Sequence, residues 1–316
     1  MMGAPGVPSH SDRRALARAL TVVENRSSGH DDLLKASLRA AGHAHRVGIT
    51  GAPGVGKSTL VSALLKVLRH QDKTVAILAV DPTSPVSGGA LLGDRLRLNE
   101  QLLDSGVFFR SSASRGAHGG LSAATGDQLD LLDAAGFDVI LIETVGAGQV
   151  DVDVAAEADT TLVVFAPGAG DSIQAMKSGI MEIADFWVVN KCDHDRAELL
   201  RSEILAALSL TERAHHADLE SLVPLVSART EFGIDQLAAL IEAHRHQSQL
   251  EGRREARLAH RYWRRVHKRG EERMMDAWQE QAASTRATLS ELRLGEITLD
   301  AAATRLLARA AEGVLP

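Results

Sequence analysis

Apolar and polar positions along this chain switch repeatedly between two periods. Short, mostly apolar runs recur at His45–Thr50, Thr74–Val80, Val107–Arg110, Asp138–Glu143, Thr160–Ala166, Phe186–Asn190 and Leu222–Ser227. Such runs predict strands, and those that are continuously apolar predict strands buried on both faces. Between them, apolar residues fall three and four apart at Thr59–His70, Leu91–Leu103, Leu121–Ala134, Ser172–Ile183, Asp195–Leu208 and Ile234–His246, which predicts helices. Alternating strand and helix predicts an α/β fold, a mostly parallel, doubly wound sheet flanked by helices.

Two segments lie outside that alternation. From Asp12 to Ala41, Leu16, Leu20, Val23, Leu33, Leu34 and Leu38 predict two short helices interrupted by NRSSGHDD, behind a Gly/Pro/Ser-rich start expected to be disordered. Beyond Gln249 the strand pattern stops. EGRREARLAHRYWRRVHKRGEERMMDAWQEQ predicts one long charged helix with Leu258, Trp263, Val266, Met274 and Trp278 at heptad-like spacing. Tryptophans on a polar helix beyond the sheet fit an oligomerisation arm better than a surface helix. The organisation expected is an N-terminal helical extension over 1–44, the α/β domain over 45–249 and a C-terminal helical arm over 250–316.

Composition narrows the classes. At 316 residues and 33.7 kDa the chain can hold one α/β domain with appendages, and 3% aromatic content requires an aliphatic core. A net charge of −6 argues against nonspecific nucleic-acid binding, which needs a cationic field. A single cysteine, Cys192, excludes an internal disulfide and suits a reducing compartment. Neither a membrane-spanning apolar run nor the apolar core of a secretory signal is found, so a cytoplasmic location is expected.

The chemistry concentrates at GAPGVGKS, Gly51–Ser58, between a predicted strand and a predicted helix, the context a P-loop requires. Gly51, Pro53, Gly54, Val55, Gly56, Lys57, Ser58 and Thr59 are the expected phosphate-binding positions. Lys57 reaches the β- and γ-phosphates and Ser58 ligates Mg²⁺. NKCD, at a later strand end, reads the base. Asp193 accepts from the guanine N1–H and exocyclic amine, Lys191 lies over the ring, and Asn190, Ser227 and Ala228 complete the pocket. Adenine lacks those donors and would leave the carboxylate unpaired, so the nucleotide is GTP or GDP.

Three acids at or after strand ends, Asp81, Asp94 and Glu143, join Ser58 as candidate metal ligands, where ligands of such sheets collect. Lys57, Glu143, Gly146 and Gln149 are the candidate catalytic residues. In IETVGAGQVD, Gly146 can sense the γ-phosphate through its N–H. Ala147 stands where small GTPases carry a water-orienting glutamine, and Gln149 is the nearest substitute. A sensor without its catalyst predicts slow intrinsic hydrolysis, completed by a partner.

The P-loop, VDPTSPVSGGALLGDR, RSSASRGAHGGLS, ETVGAGQ, PGAGDSIQAMKSGI and NKCD, in that order, resemble the MeaB/ArgK family from about Arg14 into the C-terminal arm. These are G-protein chaperones of adenosylcobalamin-dependent methylmalonyl-CoA mutase. The resemblance implies a homodimer joined by its C-terminal helices, with the mutase and its cobalamin adenosyltransferase as partners. It implies that GTP hydrolysis gates cofactor loading, protects the mutase and ejects damaged cofactor. It places Asp81, Asp94 and Glu143 at magnesium and switch sites, and makes Gly168–Gly179, with Asp171, Gln174 and Lys177, a partner-facing switch. Ser172, Cys192, Val150 and Asp151 depart from the family pattern, which points to a sister acyl-CoA mutase as the partner. A metallocentre-insertion GTPase is the nearest rival. It needs a cysteine- or histidine-based transfer site, whereas His43/His45, His215/His216 and His244/His246 read as solvated pairs. A kinase and a non-hydrolysing scaffold stand further off, opposed by NKCD and by the intact Lys57, Ser58 and Glu143.

Overall fold

The computed structural model describes residues 6–81, 103–113, 123–144, 151–169, 180–211, 218–280 and 282–314. It divides into two compact units, Met1–Leu258 and Ala259–Pro316. The first contains α1 (Arg13–Asn25), α2 (His30–Ala40), β1 (His45–Thr50), α3 (Lys57–His70), β2 (Val75–Asp81), β3 (Val107–Ala113) and α4 (Ala123–Ala134). It continues through β4 (Val139–Thr144), α5 (Asp151–Glu157), β5 (Thr160–Phe165), α6 (Ile180–Ile183), β6 (Phe186–Val189), α7 (Ala197–Leu208), α8 (Leu219–Leu222) and α9 (Ile234–Leu250). The last helices are α10 (Arg253–Glu280), α11 (Ala282–Arg293) and α12 (Leu299–Val314).

Six strands form one sheet in the order β3-β2-β4-β1-β5-β6, and every pairing is parallel. Successive residues of a strand enter opposite layers, which is why these strands are apolar without alternation. Val75, Ile77 and Ala79 of β2 face the layer containing Leu60, Leu64 and Leu65 of α3. Ala76, Leu78 and Val80 face the layer of Leu16, Leu20 and Val23 of α1 with Leu129 and Leu132 of α4. The doubly wound parallel sheet expected from the sequence is thus observed, and both N-terminal helices pack on α4.

One strand expectation fails. Leu222–Ser227 does not form a strand; Leu219–Leu222 is a helical turn, followed by an isolated bridge from Leu225 to Val189. Pro224 has no N–H to donate, so the segment accompanies β6 through its Pro224 carbonyl and Val226 N–H alone. Leu91–Leu102 and most of Ser172–Ile183 fall outside the described residues; Leu103 begins a short helical bend, and Ile180–Ile183 is helical.

The reading of the histidine pairs as solvated is corrected for His45 and His244; His43 and His246 are exposed as expected, and His215/His216 lie outside the described residues. His45 is buried, and its Nε2 lies 2.8 Å from Thr160 Oγ1, which lies 2.8 Å from His244 Nδ1. Burial pushes the His45 pKa down to about 3, with the nearby Arg245 adding to the fall and Asp159 opposing it, so the ring is neutral. His244 in turn faces Asp185, which accepts from Thr161 N–H at 2.9 Å and from Arg257 Nη2 at 2.9 Å.

Burial would raise the pKa of Asp185, but His244 and Arg257 overcome it and hold the carboxyl well below the usual range. A depressed folded pKa stabilises above the unfolded value, about 3.9, and the contribution disappears as pH falls through the folded value. Asp185→Asn is therefore expected to cost about 1.5–3 kcal/mol near neutral pH. Urea unfolding of both proteins should show the gap closing below about pH 4; a gap constant down to pH 3 refutes the carboxylate's role.

In the second unit α11 and α12 pack together, and Arg305 Nη1 lies 2.5 Å from Glu291 Oε2. Trp263 and Val266 of α10 are about two-thirds exposed, at 66% and 65%, as are Leu294 and Leu299 at 72% each. Among the described residues no helix is long and apolar enough to cross a membrane.

Candidate functional site

β1 ends at Thr50 between β4 and β5, and the chain then turns through Gly51–Gly56 into α3. The glycines are sterically required. A Cβ at Gly51 (φ +142°) would lie 2.3 Å from the Val164 carbonyl oxygen, and one at Gly56 (φ +97°) would lie 2.5 Å from Asn190 Nδ2. The loop therefore lies against β5 on one side and the NKCD segment on the other. Val55 is buried beneath it, Pro53 and Gly54 are exposed, and Thr59 is exposed on the first turn of α3. The N-terminus of α3 directs its positive end at the space the loop encloses.

Lys57 opens α3 and is buried, its Nζ donating to the carbonyls of Gly51 at 2.7 Å and Ala52 at 3.1 Å. The ammonium is thus held over its own loop. Next to it, Ser58 Oγ donates to Glu143 Oε1 at 2.5 Å. Glu143 is buried near the end of β4, in register with Ile49 of β1 and Ala79 of β2. Asp81 ends β2 one strand further out, its backbone in register with Ala113. The structure thus joins Lys57, Ser58 and Glu143 and sets Asp81 at the same sheet edge. Asp94, Gly146, Ala147 and Gln149 lie outside the described residues, as does Gly170–Gly179 of the expected second switch.

The residues expected to read the base form the other wall. Asn190 follows β6, is buried, and spans two loops: its Nδ2 donates to Val55 O at 2.9 Å and its Oδ1 accepts from Ala228 N–H at 3.0 Å. Lys191, in the left-handed region at φ +59°, donates from Nζ to Gly54 O at 2.7 Å. Asp193 accepts from Ser227 Oγ at 2.7 Å and from Arg229 Nη2 at 2.7 Å. Those hydrogen bonds, Ser227 first and Arg229 second, push its pKa down to about 2, so it is an ionised acceptor. Cys192 is partly buried, and that burial pushes its thiol up, away from a reactive thiolate.

All base-motif residues named from the sequence therefore meet around the P-loop. Arg229 was missed; its only signal was its place directly after Ser227–Ala228, a surface charge like many others. Among the described residues no three His, Cys, Asp or Glu side chains converge on a metal-sized site.

Comparison with known proteins follows the same lines. A family model described as Methylmalonyl Co-A mutase-associated GTPase MeaB matches residues 16–283. A protein of Pyrococcus horikoshii, named as a putative GTPase, is 52% identical over 199 residues, 63% of this chain and 63% of that protein. The methylmalonic aciduria type A homolog, mitochondrial, of Mus musculus is 34% identical over 270 residues, 79% of this chain and 65% of its own. Each of these two matches spans less than two thirds of the relative's length. The crystal structure of a LAO/AO transport system kinase superposes with a TM-score of 0.72 at 27% identity, covering 95% of this chain and 93% of that one.

Proposed function

Because the chain belongs to the MeaB family and is a GTPase that binds guanine nucleotides, we propose that it is a nucleotide-gated chaperone of an adenosylcobalamin-dependent acyl-CoA mutase. The observation that carries this reading is the Asn190 bridge. It ties the phosphate loop, through Val55, to the loop that positions Asp193's partner Ser227, so base and phosphates are read as one unit. The mutase enters from the family's description and the mouse relative's name.

Lys57, held over its loop by the carbonyls of Gly51 and Ala52, reaches the β- and γ-phosphate oxygens of a bound nucleotide. The Ser58 hydroxyl and the buried Glu143 carboxylate, 2.5 Å apart at a helix N-terminus, are hard oxygen donors that fit Mg²⁺, and Asp81 and Asp94 are the further acids the sequence offers. Mg²⁺ bound there neutralises phosphate charge. In the reaction water oxygen bonds to the γ-phosphorus as the bond to the β–γ bridging oxygen breaks, giving GDP and phosphate. Lys57 and the loop N–H groups meet the charge gathering on the leaving oxygen. Gly146 serves as the γ-phosphate sensor and Gln149 as the nearest water-orienting group. The mutase supplies what Ala147 lacks.

Exposed Trp263 and Val266 on α10 suit a homodimer formed through the arms. The order 1–44, 45–249 and 250–316 then reads as extension, GTPase domain and dimerisation arm. Guanine recognition by Asp193 opposes the kinase reading, since adenine offers no donors in the matching positions.

GTP turnover by the isolated protein is expected to be slow and to rise at least about tenfold with the cognate adenosylcobalamin-dependent mutase, a barrier change of about 1.4 kcal/mol. Titration against methylmalonyl-CoA mutase and its isobutyryl- and ethylmalonyl-CoA relatives identifies the cognate. No stimulation and no complex with any of them sinks the chaperone reading.

A further inference from the structure

Asp193 must offer the guanine edge two acceptors in one fixed plane. Each carboxylate oxygen has two lone pairs, and here each already takes one protein donor, Ser227 Oγ on Oδ1 and Arg229 Nη2 on Oδ2. The two side-chain donors leave acceptor capacity on both oxygens for the N1–H and the exocyclic amine. The two protein donors therefore fix the rotation of the carboxylate before the base arrives. A hydroxyl alone would hold one oxygen and leave the group free to turn about its bond.

The loop that carries Arg229 is itself fixed. Ser227 N–H donates to Phe232 O at 3.0 Å, Ala228 N–H donates to Asn190, and Glu231 pairs with Lys66 on the P-loop helix α3. Gly233 closes the turn at φ +74°, where a Cβ would meet Leu225 O at 2.5 Å. The Arg229 side chain reaches from this rigid turn across to Asp193 while remaining 77% exposed. An ion pair so exposed contributes little to folding, so its geometry points to the ligand.

We propose that Arg229 is a specificity-determining positioning residue of the guanine site, holding the Asp193 carboxylate in the plane of the base. The inference rests on Asp193 being the guanine reader. Removing Arg229 lets the carboxylate turn, and the oxygen that Arg229 held then no longer meets the exocyclic amine.

The test measures GDP and IDP affinities by calorimetry for the full chain and for Arg229→Ala, Arg229→Lys and Asp193→Asn. IDP lacks the exocyclic amine. Arg229→Ala should weaken GDP by about five- to tenfold and IDP far less, so the preference for GDP over IDP falls. In turnover the effect should appear in KM for GTP rather than in kcat, and Arg229→Lys should recover part of it. An unchanged GDP/IDP preference overturns the proposal. Tighter GDP binding by Arg229→Ala overturns it too, since Arg229 would then compete with the base. Asp193→Asn separates the premise: it should exchange GDP preference for XDP, and if it keeps GDP the base-site reading itself fails, whatever Arg229 does.

Discussion

Lys57→Ala is expected to reduce GTP affinity by about 100-fold, equivalent to about 2.7 kcal/mol, and kcat by a further factor of at least about 100. The Lys57 ammonium is buried and donates to the Gly51 and Ala52 carbonyls. Those are neutral acceptors, and two anionic phosphates would add charge-assisted hydrogen bonds to the same ammonium. Alanine keeps the helix and adds nothing to the loop, whose shape depends on Gly51 and Gly56 rather than on the lysine. Thermal unfolding should therefore move little while binding, followed by calorimetry, collapses. A variant that still hydrolyses GTP at the parent rate would remove the P-loop from the chemistry altogether.

The same geometry explains why the P-loop was legible in the sequence. A backbone cradle needs glycine where a Cβ would strike Val164 O or Asn190, and no other residue type meets the requirement. The parallel sheet was equally legible, because strands covered on both faces must be apolar at successive positions, as Val75–Val80 is. Leu222–Ser227 misled because its apolar residues suit burial beside β6, while Pro224 denies it a full ladder. Burial and pairing have the same hydrophobic signature.

Charged residues were the least legible. Asp127, Asp130 and Asp133 recur every third residue on α4, a pattern normally read as a solvated stripe, yet all three are buried. What makes this tolerable lies far along the chain. Asp133 accepts from the N–H groups of Gly42, His43 and Ala44, and Asp130 takes Arg46 Nη2 at 2.7 Å. Arg229 escaped for the same reason, since only the folded loop brings it to Asp193. Charge shows function through its partner, and local spacing does not name the partner.

The second large effect follows from that buried cluster. Arg46 on β1 lies 2.7 Å from Asp130, 3.4 Å from Asp133 and 3.7 Å from Glu157 of α5, all of them buried. Burial alone would lower its pKa, but Asp130, Asp133 and Glu157 together overcome it and hold the guanidinium above its ordinary value. Arg46→Leu would leave three carboxyl groups in the interior without their cation, an expected loss of about 3–5 kcal/mol. Against a total stability of about 5–15 kcal/mol, that is a large share of what keeps the chain folded. Arg46→Lys, which keeps the charge but cannot fork between acids, should fall between the two. Urea unfolding at pH 7 and pH 5 is the measurement. The deficit of Arg46→Leu should shrink at the lower pH, because a proton taken up by the cluster cancels the stranded charge; equal stability to the parent at pH 7 refutes it. Arg46 also lies on the strand that leads into Gly51, and Glu157 ends the helix that follows the ETVGAGQ stretch. GDP at one fixed concentration, 100 times the parent's Kd, should add about 2.7 kcal/mol to parent and variant alike if the cluster only supports the fold. A smaller gain in the variant would show that the same ion cluster also holds the nucleotide loop in its binding shape.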